Sequence, residues 1–416
     1  MEPVEESDRR VCCFRSEMKL KVGLDVLKDN PSRSKSWGRC ALLVNQASVD
    51  AALLPSQLVL RKALKGRLVH LFTPQHGLCA DKQDNMIESG HGRDILSGLP
   101  FFSLYSEVRE PTDAMMEGID TVIADIQDVG TRVYTFLWTI AGIMRKCALL
   151  GKKVVVLDRP NPIGGKEIEG NVLEADSRSF VGEYPMPMRH GMTVGEAARW
   201  INQVGGIHVD LEVIPMKGWS RSMHWGQTGR LWIMTSPNIP MSDITEVYPG
   251  MVLLEGTNLS EGRGTTLPFR TIGAPYLKDL KSWLEELSRI CVFRGLSVRP
   301  MVFEPTFHKW AKQSCWGVHL HIQKPGDIRP YQFGLGVLLA SMRVAPGEFR
   351  YNDPPYEYEL RRPPMQLLLG SSTLPTQLKK LAESPLKKSV LNDLEEEWQP
   401  GLKEFRRQRA SVLLYR

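Results

Sequence analysis

Short apolar runs alternate with polar, turn-rich segments and helix-period stretches along the first half of the chain. The runs cover residues 40–44, 68–72, 121–124 and 153–157. All are rich in Val, Ile and Leu, as strands buried on both faces are, and their alternation with helical stretches predicts parallel β-α units. Residues 133–150 form a long apolar stretch closed by Gly151, the pattern of a buried crossover helix with a glycine stop. Thr193-Val-Gly-Glu196 has the spacing of a capping box for a helix over 197–203. After the proline-punctuated segment 236–240 the strands become sparser, and helices are expected over 277–289 and 334–342 among loops. The charged tail, 391–416, has spaced apolar positions that predict a surface helix packed by one face. The expected fold class is α/β: a parallel-sheet domain over 19–240 and a smaller α+β domain over 241–416, after a disordered extension at 1–18.

Composition narrows the function. A chain of 416 residues with 42% hydrophobic positions buries a sizeable core and suggests two domains. The net charge of +6 is spread over 53 basic and 47 acidic residues. With no basic stripe, a nucleic-acid partner is not expected, though the balance mildly favours an anionic substrate. The 7 cysteines are odd in number, scattered apart from Cys12-Cys13, and form no CxxC, which fits a reducing compartment rather than a disulfide framework. The charged N-terminus lacks a signal-like apolar stretch and no window resembles a membrane span, so a cytoplasmic location without membrane insertion is expected. No cofactor is expected, since neither GxGxxG after a strand nor GxxxxGK[ST] occurs. No metal is expected either, because His319 and His321 supply only two of the ligands a catalytic zinc needs. Nothing in the sequence sets the oligomeric state.

The chemistry concentrates where the predicted strands end. After the first comes Asn45-Gln46, and after the second Pro74-Gln75-His76-Gly77. The third is followed by Asp125-Ile-Gln127-Asp128-Val-Gly130-Thr-Arg132, and the fourth by Asp158-Arg159-Pro-Asn161-Pro. Right-handed crossovers bring all four loops to one edge of a parallel sheet, where ligands bind. Amides, carboxylates and guanidinium groups together suit a polyhydroxylated ligand that carries a carboxylate. Arg189-His190-Gly-Met-Thr193 precedes a helix start, and the polar loop 255–266 adds Glu261 and Arg263. Trp200, Trp219, Trp225 and Trp232 are open to two readings, a sugar-stacking platform or core packing.

Pro74-Gln-His-Gly77, Asp125-Ile-Gln-Asp-Val-Gly-Thr-Arg132 with Tyr134-Thr135, Val156-Leu-Asp-Arg-Pro-Asn-Pro162, Arg189-His-Gly-Met-Thr193, Ser236-Pro-Asn238 and the loop 255–266 together resemble the exo-β-N-acetylmuramidase family. The match runs in order from about Val22 to the C-terminal Leu-Leu-Tyr. The resemblance implies a Rossmann-like N-terminal domain, a smaller C-terminal domain, and an active-site cleft between them. It also implies release of N-acetylmuramic acid from the non-reducing ends of peptidoglycan fragments. One position departs: the family commonly reads Pro-Glu-His-Gly, with that glutamate the favoured catalytic residue, and this chain has Gln75. An amide cannot transfer a proton as a carboxyl group does, so the loop 81–89 becomes the expected source of a substitute in Glu88 or Asp84.

The expected pair is Glu88 with Asp125 or Asp128, one group protonating the leaving oxygen and the other stabilising the anomeric centre or activating water. Alternatively the substrate's own 2-acetamido group attacks, oriented by Asp125 or Asp128. Arg132, Arg159 or Arg189 is expected to receive the lactyl carboxylate. His76, Tyr105, Gln127, Tyr134, Asp158, Asn161, His190, Asn238, Glu261 and Arg263 are the expected substrate contacts. A competing reading is a muropeptide-binding or sensing protein that lost catalysis with Gln75. A nicotinamide-dependent oxidoreductase would rest on fold analogy alone.

Overall fold

The computed structural model describes residues 20–83, 87–385 and 387–416, so the extension expected at 1–18 and the candidate Asp84 lie outside the described residues. Among the described residues the first half holds nine strands: β1 (Cys40–Val44), β2 (Leu68–Thr73), β3 (Gly92–Arg93), β4 (Pro100–Ser103), β5 (Thr121–Asp125), β6 (Lys153–Leu157), β7 (Glu169–Val172), β8 (Pro187–Arg189) and β9 (Asp210–Ile214). Seven form one sheet in the order β3-β4-β2-β1-β5-β6-β9, parallel except where β3 meets β4. The four expected strands lie together at its centre, where both faces are covered. Side chains alternate across it: Cys40, Leu42 and Val44 join the apolar cluster on one face, Ala41 and Leu43 the cluster on the other. The edge strands β3 and β9, the strand β4 beside β3, and the antiparallel pair β7-β8 were not expected, because none is a sustained apolar run.

The crossover helix spans Phe136–Leu149 rather than 133–150, and is buried for most of its length. Its expected first turn is instead a tight turn before the helix, closed by the Tyr134 amide on the Thr131 carbonyl at 3.0 Å. The capping box at Thr193 is present: its hydroxyl accepts from the Glu196 amide and the Glu196 carboxylate accepts from the Thr193 amide, opening a helix over Val194–Val204.

The second half contains β10 (Thr271–Ala274), β11 (Leu296–Phe303) and β12 (Cys315–Ile322), an antiparallel sheet in the order β10-β12-β11. Helices Leu280–Ile290 and Pro330–Val344 bury Trp283, Leu287, Leu335 and Leu338 in the same apolar cluster that covers one face of the large sheet. The two halves therefore share a continuous core. His319 and His321 stack on β12 with ring centroids 3.9 Å apart, and burial together with the neighbouring His321, Arg270 and Arg299 lowers His319 to about 4. Among the described residues no three His, Cys, Asp or Glu side chains group as metal ligands would, and no helix is long and apolar enough to cross a membrane.

The tail forms a helix over Val390–Ala410 that buries Leu394, Leu402 and Phe405, with Phe405 against Trp200. It then returns to the first half. The Tyr415 hydroxyl donates to Asp158 at 2.5 Å and accepts from the Met216 amide at 2.8 Å, at the carboxyl end of β6. Burial drives the Asp158 carboxyl up to about 7, against the opposing hydrogen bonds from Tyr415, the Gly195 amide and Thr193. A carboxyl raised in the fold stabilises fully below the ordinary aspartate range, and that contribution is lost as pH rises through about 7. Tyr415→Phe removes a donor from the charged form. It should cost roughly 1.5–3 kcal/mol in urea unfolding at pH 8 and distinctly less at pH 5, where Asp158 is protonated.

Candidate active site

The loops after β2 and β4 face the second half across a small chamber. It is lined by Gln75, His76, Tyr134, Thr135, Ser236 and Asn238 from the first half and by Tyr248, Glu255, Arg263, Phe269, Tyr356 and Glu357 from the second. Gln75 is anchored through both ends of its amide. Its Oε1 accepts from the Thr135 hydroxyl at 2.7 Å, which turns Nε2 toward Glu357 Oε1 at 2.9 Å and the Tyr105 oxygen at 3.1 Å. Tyr105 closes the triangle by donating to Glu357 Oε2 at 2.7 Å. Burial pushes the Glu357 carboxyl up to about 7, with the Tyr105 and Gln75 hydrogen bonds pulling down and the Glu255 charge pushing up.

A second carboxylate stands in the same wall. Glu255 pairs with Arg263 at 2.5 Å and accepts from the Tyr356 hydroxyl at 2.7 Å. Behind it Arg263 meets Glu261 at 3.2 Å, and Lys309 and His308 approach the same carboxylate at 2.9 and 3.4 Å. Burial alone would raise Glu261, but Lys309, Arg263 and His308 outweigh it and hold the carboxyl at about 2. Glu261 is thus a buttress that positions Arg263. At the mouth the Arg109 guanidinium lies 3.4 Å from the centroid of Tyr358, which is itself edge-on to Tyr105.

Of the residues expected to converge, Gln75, His76, Tyr105, Tyr134, Asn238 and Arg263 line or border this chamber. Tyr134 donates to the Thr235 hydroxyl, Asn238 to the Gln83 carbonyl, and His76 Nδ1 lies 2.9 Å from the Lys82 carbonyl. The others are placed differently. Glu88 sits half exposed at the rim, 3.8 Å from Arg109 and 3.4 Å from the Tyr358 hydroxyl. Asp125 is fully buried, with its oxygens on Arg159 Nε at 2.5 Å and Nη2 at 2.9 Å and on the Ser56 hydroxyl, so it neutralises Arg159 rather than facing the chamber. Asp128 accepts from the Gly130 amide and lies 3.5 Å from the buried His190 ring. Gly130 has φ +79°, and a Cβ there would stand 2.3 Å from Asn161 Oδ1, so the loop requires glycine. Asn161 itself shapes its turn, between the Met192 carbonyl and the Ile163 amide.

The expected arginine clamp is not in the chamber. Arg132 donates to the carbonyls of Asn171, Met186 and Leu368, and burial lowers it to about 10. Arg189 donates to the Ile163 carbonyl. Both guanidinium groups are enclosed and tie backbone segments together. Asp158 is sequestered by Thr193, Gly195 and Tyr415, and Gln127 faces a separate cavity.

Comparison with known proteins adds an independent line. The family model described as the N-terminal domain of the exo-beta-N-acetylmuramidase NamZ matches residues 40–243, and that of its C-terminal domain matches residues 246–415. The peptidoglycan beta-N-acetylmuramidase NamZ of Bacillus subtilis is 39% identical over 333 residues, 80% of each chain. Two crystal structures of DUF1343 family proteins from Bacteroides fragilis superpose with TM-scores of 0.83 and 0.70. They are 30% and 26% identical, and cover 96% and 95% of this chain and 100% and 99% of their own.

Of the carboxyl groups in the chamber, Glu357 was missed, and Glu255 was singled out only as the first residue of the polar loop 255–266. Glu357 lies in Asp353-Pro-Pro-Tyr-Glu-Tyr-Glu359, where alternating tyrosines and glutamates after a proline pair were a usable signal. It is 282 residues from Gln75, and only the packing of the two halves brings them together. If Asp125 is a counter-ion, Asp125→Ala should cost roughly 3–5 kcal/mol in urea unfolding, because it strands a buried guanidinium.

Proposed function

Because the chain belongs to the exo-β-N-acetylmuramidase family, we propose that it is a glycoside hydrolase releasing N-acetylmuramic acid from the non-reducing ends of peptidoglycan fragments. Glu357 is the general acid and takes over the proton transfer that Gln75 cannot perform. The observation that carries this assignment is a buried carboxyl at about 7, held by Gln75 and Tyr105 inside the chamber. A group that keeps its proton near neutrality can donate it to the leaving glycosidic oxygen. Gln75 serves as a positioning residue, since Thr135 fixes its amide so that Nε2 faces Glu357. Glu255, paired with Arg263, is the second carboxylate, directed at the anomeric centre.

The chamber encloses about 30 Å³, enough for a water or two and too little for a sugar ring. The segment 353–362, which carries Glu357, must therefore draw back for substrate to enter. Arg109 is the cation at this mouth, and we assign the lactyl carboxylate to it in place of the enclosed Arg132, Arg159 and Arg189. The amide at position 75 favours a second reading, a muropeptide-binding protein without turnover.

A chromogenic N-acetylmuramide separates the two: binding without release of the chromophore supports the second and removes the first. For the hydrolase, kcat/KM should fall as pH rises through about 7, because Glu357 then loses its proton. Glu357→Gln should abolish that limb and lower turnover by roughly 10²- to 10⁴-fold, while Glu88→Gln stays within severalfold of wild type. The reverse pattern would return the acid to Glu88. Arg109→Ala should cost roughly 1.5–3 kcal/mol of binding and erase discrimination against N-acetylglucosamine, which lacks the lactyl acid. Intact discrimination would place the carboxylate elsewhere.

A further inference from the structure

An open cleft of about 520 Å³ lies on the second half, where the end of β10 meets the start of β12. Tyr276 and Lys278 reach it from the chain after β10, Trp310, Gln313 and Ser314 from the loop before β12, and Trp316 from β12 itself. Three of these residues are large aromatics, and all three stay partly exposed.

Two of the rings are fixed through their polar atoms. Trp310 donates from Nε1 to the Asn258 carbonyl at 2.6 Å, and the Tyr276 hydroxyl donates to Asn258 Oδ1 at 2.9 Å. Both rings thus hang on one residue, edge-on to each other with centroids 6.1 Å apart. Asn258 is itself held, since its Nδ2 donates to the Glu348 carbonyl at 2.8 Å and its Oδ1 accepts from the Arg350 amide at 3.0 Å. With their hydrogens engaged, the two rings offer the cleft rigid carbon surface.

The loop that carries Trp310 is strained. His308, Trp310 and Lys312 have φ of +67°, +59° and +61°, a left-handed backbone that side chains other than glycine rarely adopt. Such residues persist only where their surroundings over-determine them, and they gather at ligand clamps. Here the hold is Lys309, whose Nζ donates to the Leu254 and Leu259 carbonyls at 2.7 and 3.1 Å and to Glu261 at 2.9 Å. Core packing does not account for the strain, because the Trp310 ring remains partly exposed.

The rest of the cleft is polar. Gln313, Ser314, Lys278 and Glu348 line it and are exposed, with the Lys278 ammonium 5.7 Å from the centroid of the Trp316 ring. An amide, a hydroxyl, an ammonium and a carboxylate beside fixed aromatic rings complement a pyranose, whose C–H face packs on aromatic carbon and whose hydroxyls both donate and accept. We propose that this cleft is a second saccharide site, a platform that holds a glycan chain of peptidoglycan outside the chamber where the end is cut. Recognition of a sugar ring comes from the cleft, whereas the choice of peptidoglycan as its source rests on the hydrolase reading above. Glu255 in the chamber wall and Asn258 behind the platform are three residues apart, so at most about 10 Å of chain separates them and one loop supports both sites. The chain held is either the one whose end enters the chamber or its neighbour in the wall.

Affinity electrophoresis in gels containing peptide-free glycan chains tests the platform in a Glu357→Gln background, which suppresses turnover. Adding Trp316→Ala should weaken binding by roughly fivefold or more, the worth of an aromatic contact. Where loss of the indole lowers the melting temperature, Gln313→Ala with Glu348→Ala, both at exposed side chains, takes its place, with a loss of roughly threefold expected. Affinity that both variants leave unchanged overturns the proposal. So does a failure to bind peptide-free chains, and binding restricted to chains that keep their stem peptides would make the ligand a peptide. The kinetic arm, with Glu357 intact, compares kcat/KM on long glycan chains and on the chromogenic N-acetylmuramide. If Trp316→Ala lowers that ratio, platform and chamber share one chain. If the ratio holds while affinity falls, the platform takes a neighbouring chain. Wild type inert on both substrates sinks the hydrolase reading, and the electrophoresis still decides the cleft.

Discussion

A guanidinium buried at the carboxyl edge of a parallel sheet must be neutralised where it stands, and much of this molecule is arranged around that requirement. Arg159 leaves β6 into a fully enclosed position, and Asp125, the last residue of the neighbouring β5, meets it with both carboxylate oxygens. The pair fixes the spacing of the two strand ends, and Arg159 also binds the Val49 carbonyl in the loop after β1. Three loops are thereby held in one frame. A charge pair of this kind gains little over an apolar contact, but either partner alone would be strongly destabilising. The chain is committed to both residues together.

That frame explains why reactive-looking side chains do not all react. Asp125, Asp158, Arg132 and Arg189 are conspicuous in a sequence because charged residues are seldom enclosed. Here each is enclosed because it carries a structural load: Arg132 and Arg189 bind carbonyls, and Asp158 receives the C-terminal tyrosine. The polar groups that remain in the chamber are those the frame presents to the other half. Gln75 and Tyr105 do so from the loops after β2 and β4, and Glu357 and Glu255 answer from the second half. Replacing glutamate by Gln75 leaves a single carboxyl at that contact, so Glu357 need not share a proton with an adjacent acid.

The central strands, the crossover helix and the Thr193 cap were legible because each depends on local causes. A run such as Lys153–Leu157 has the length and β-branched content of a strand buried on both faces, and Thr193 and Glu196 satisfy each other's amides within one turn. The strand-end motifs were legible as a group, since the crossover rule places them on one edge wherever the helices lie. The chamber gathers Gln75 and Tyr134, which follow β2 and β5, with Asn238 and Arg263, which come from segments outside the strand-end loops.

What the sequence could not disclose is which way each polar side chain turns and what it meets. Arg159 reads equally well as an anion clamp or as half of a buried pair, and only the register of β5 against β6 decides for the pair. Glu357 is unremarkable in a tyrosine-rich segment until the second half docks and desolvates it beside Gln75. Local pattern, set by backbone sterics and the burial of apolar side chains, determined the sheet, its helices and the edge where the site lies. The burial of Glu357 beside Gln75, the enclosure of Arg132, Arg159 and Arg189 and the separate cavity lined by Gln127 were decided by tertiary structure. They depend on desolvation and charge pairing between residues far apart in the chain.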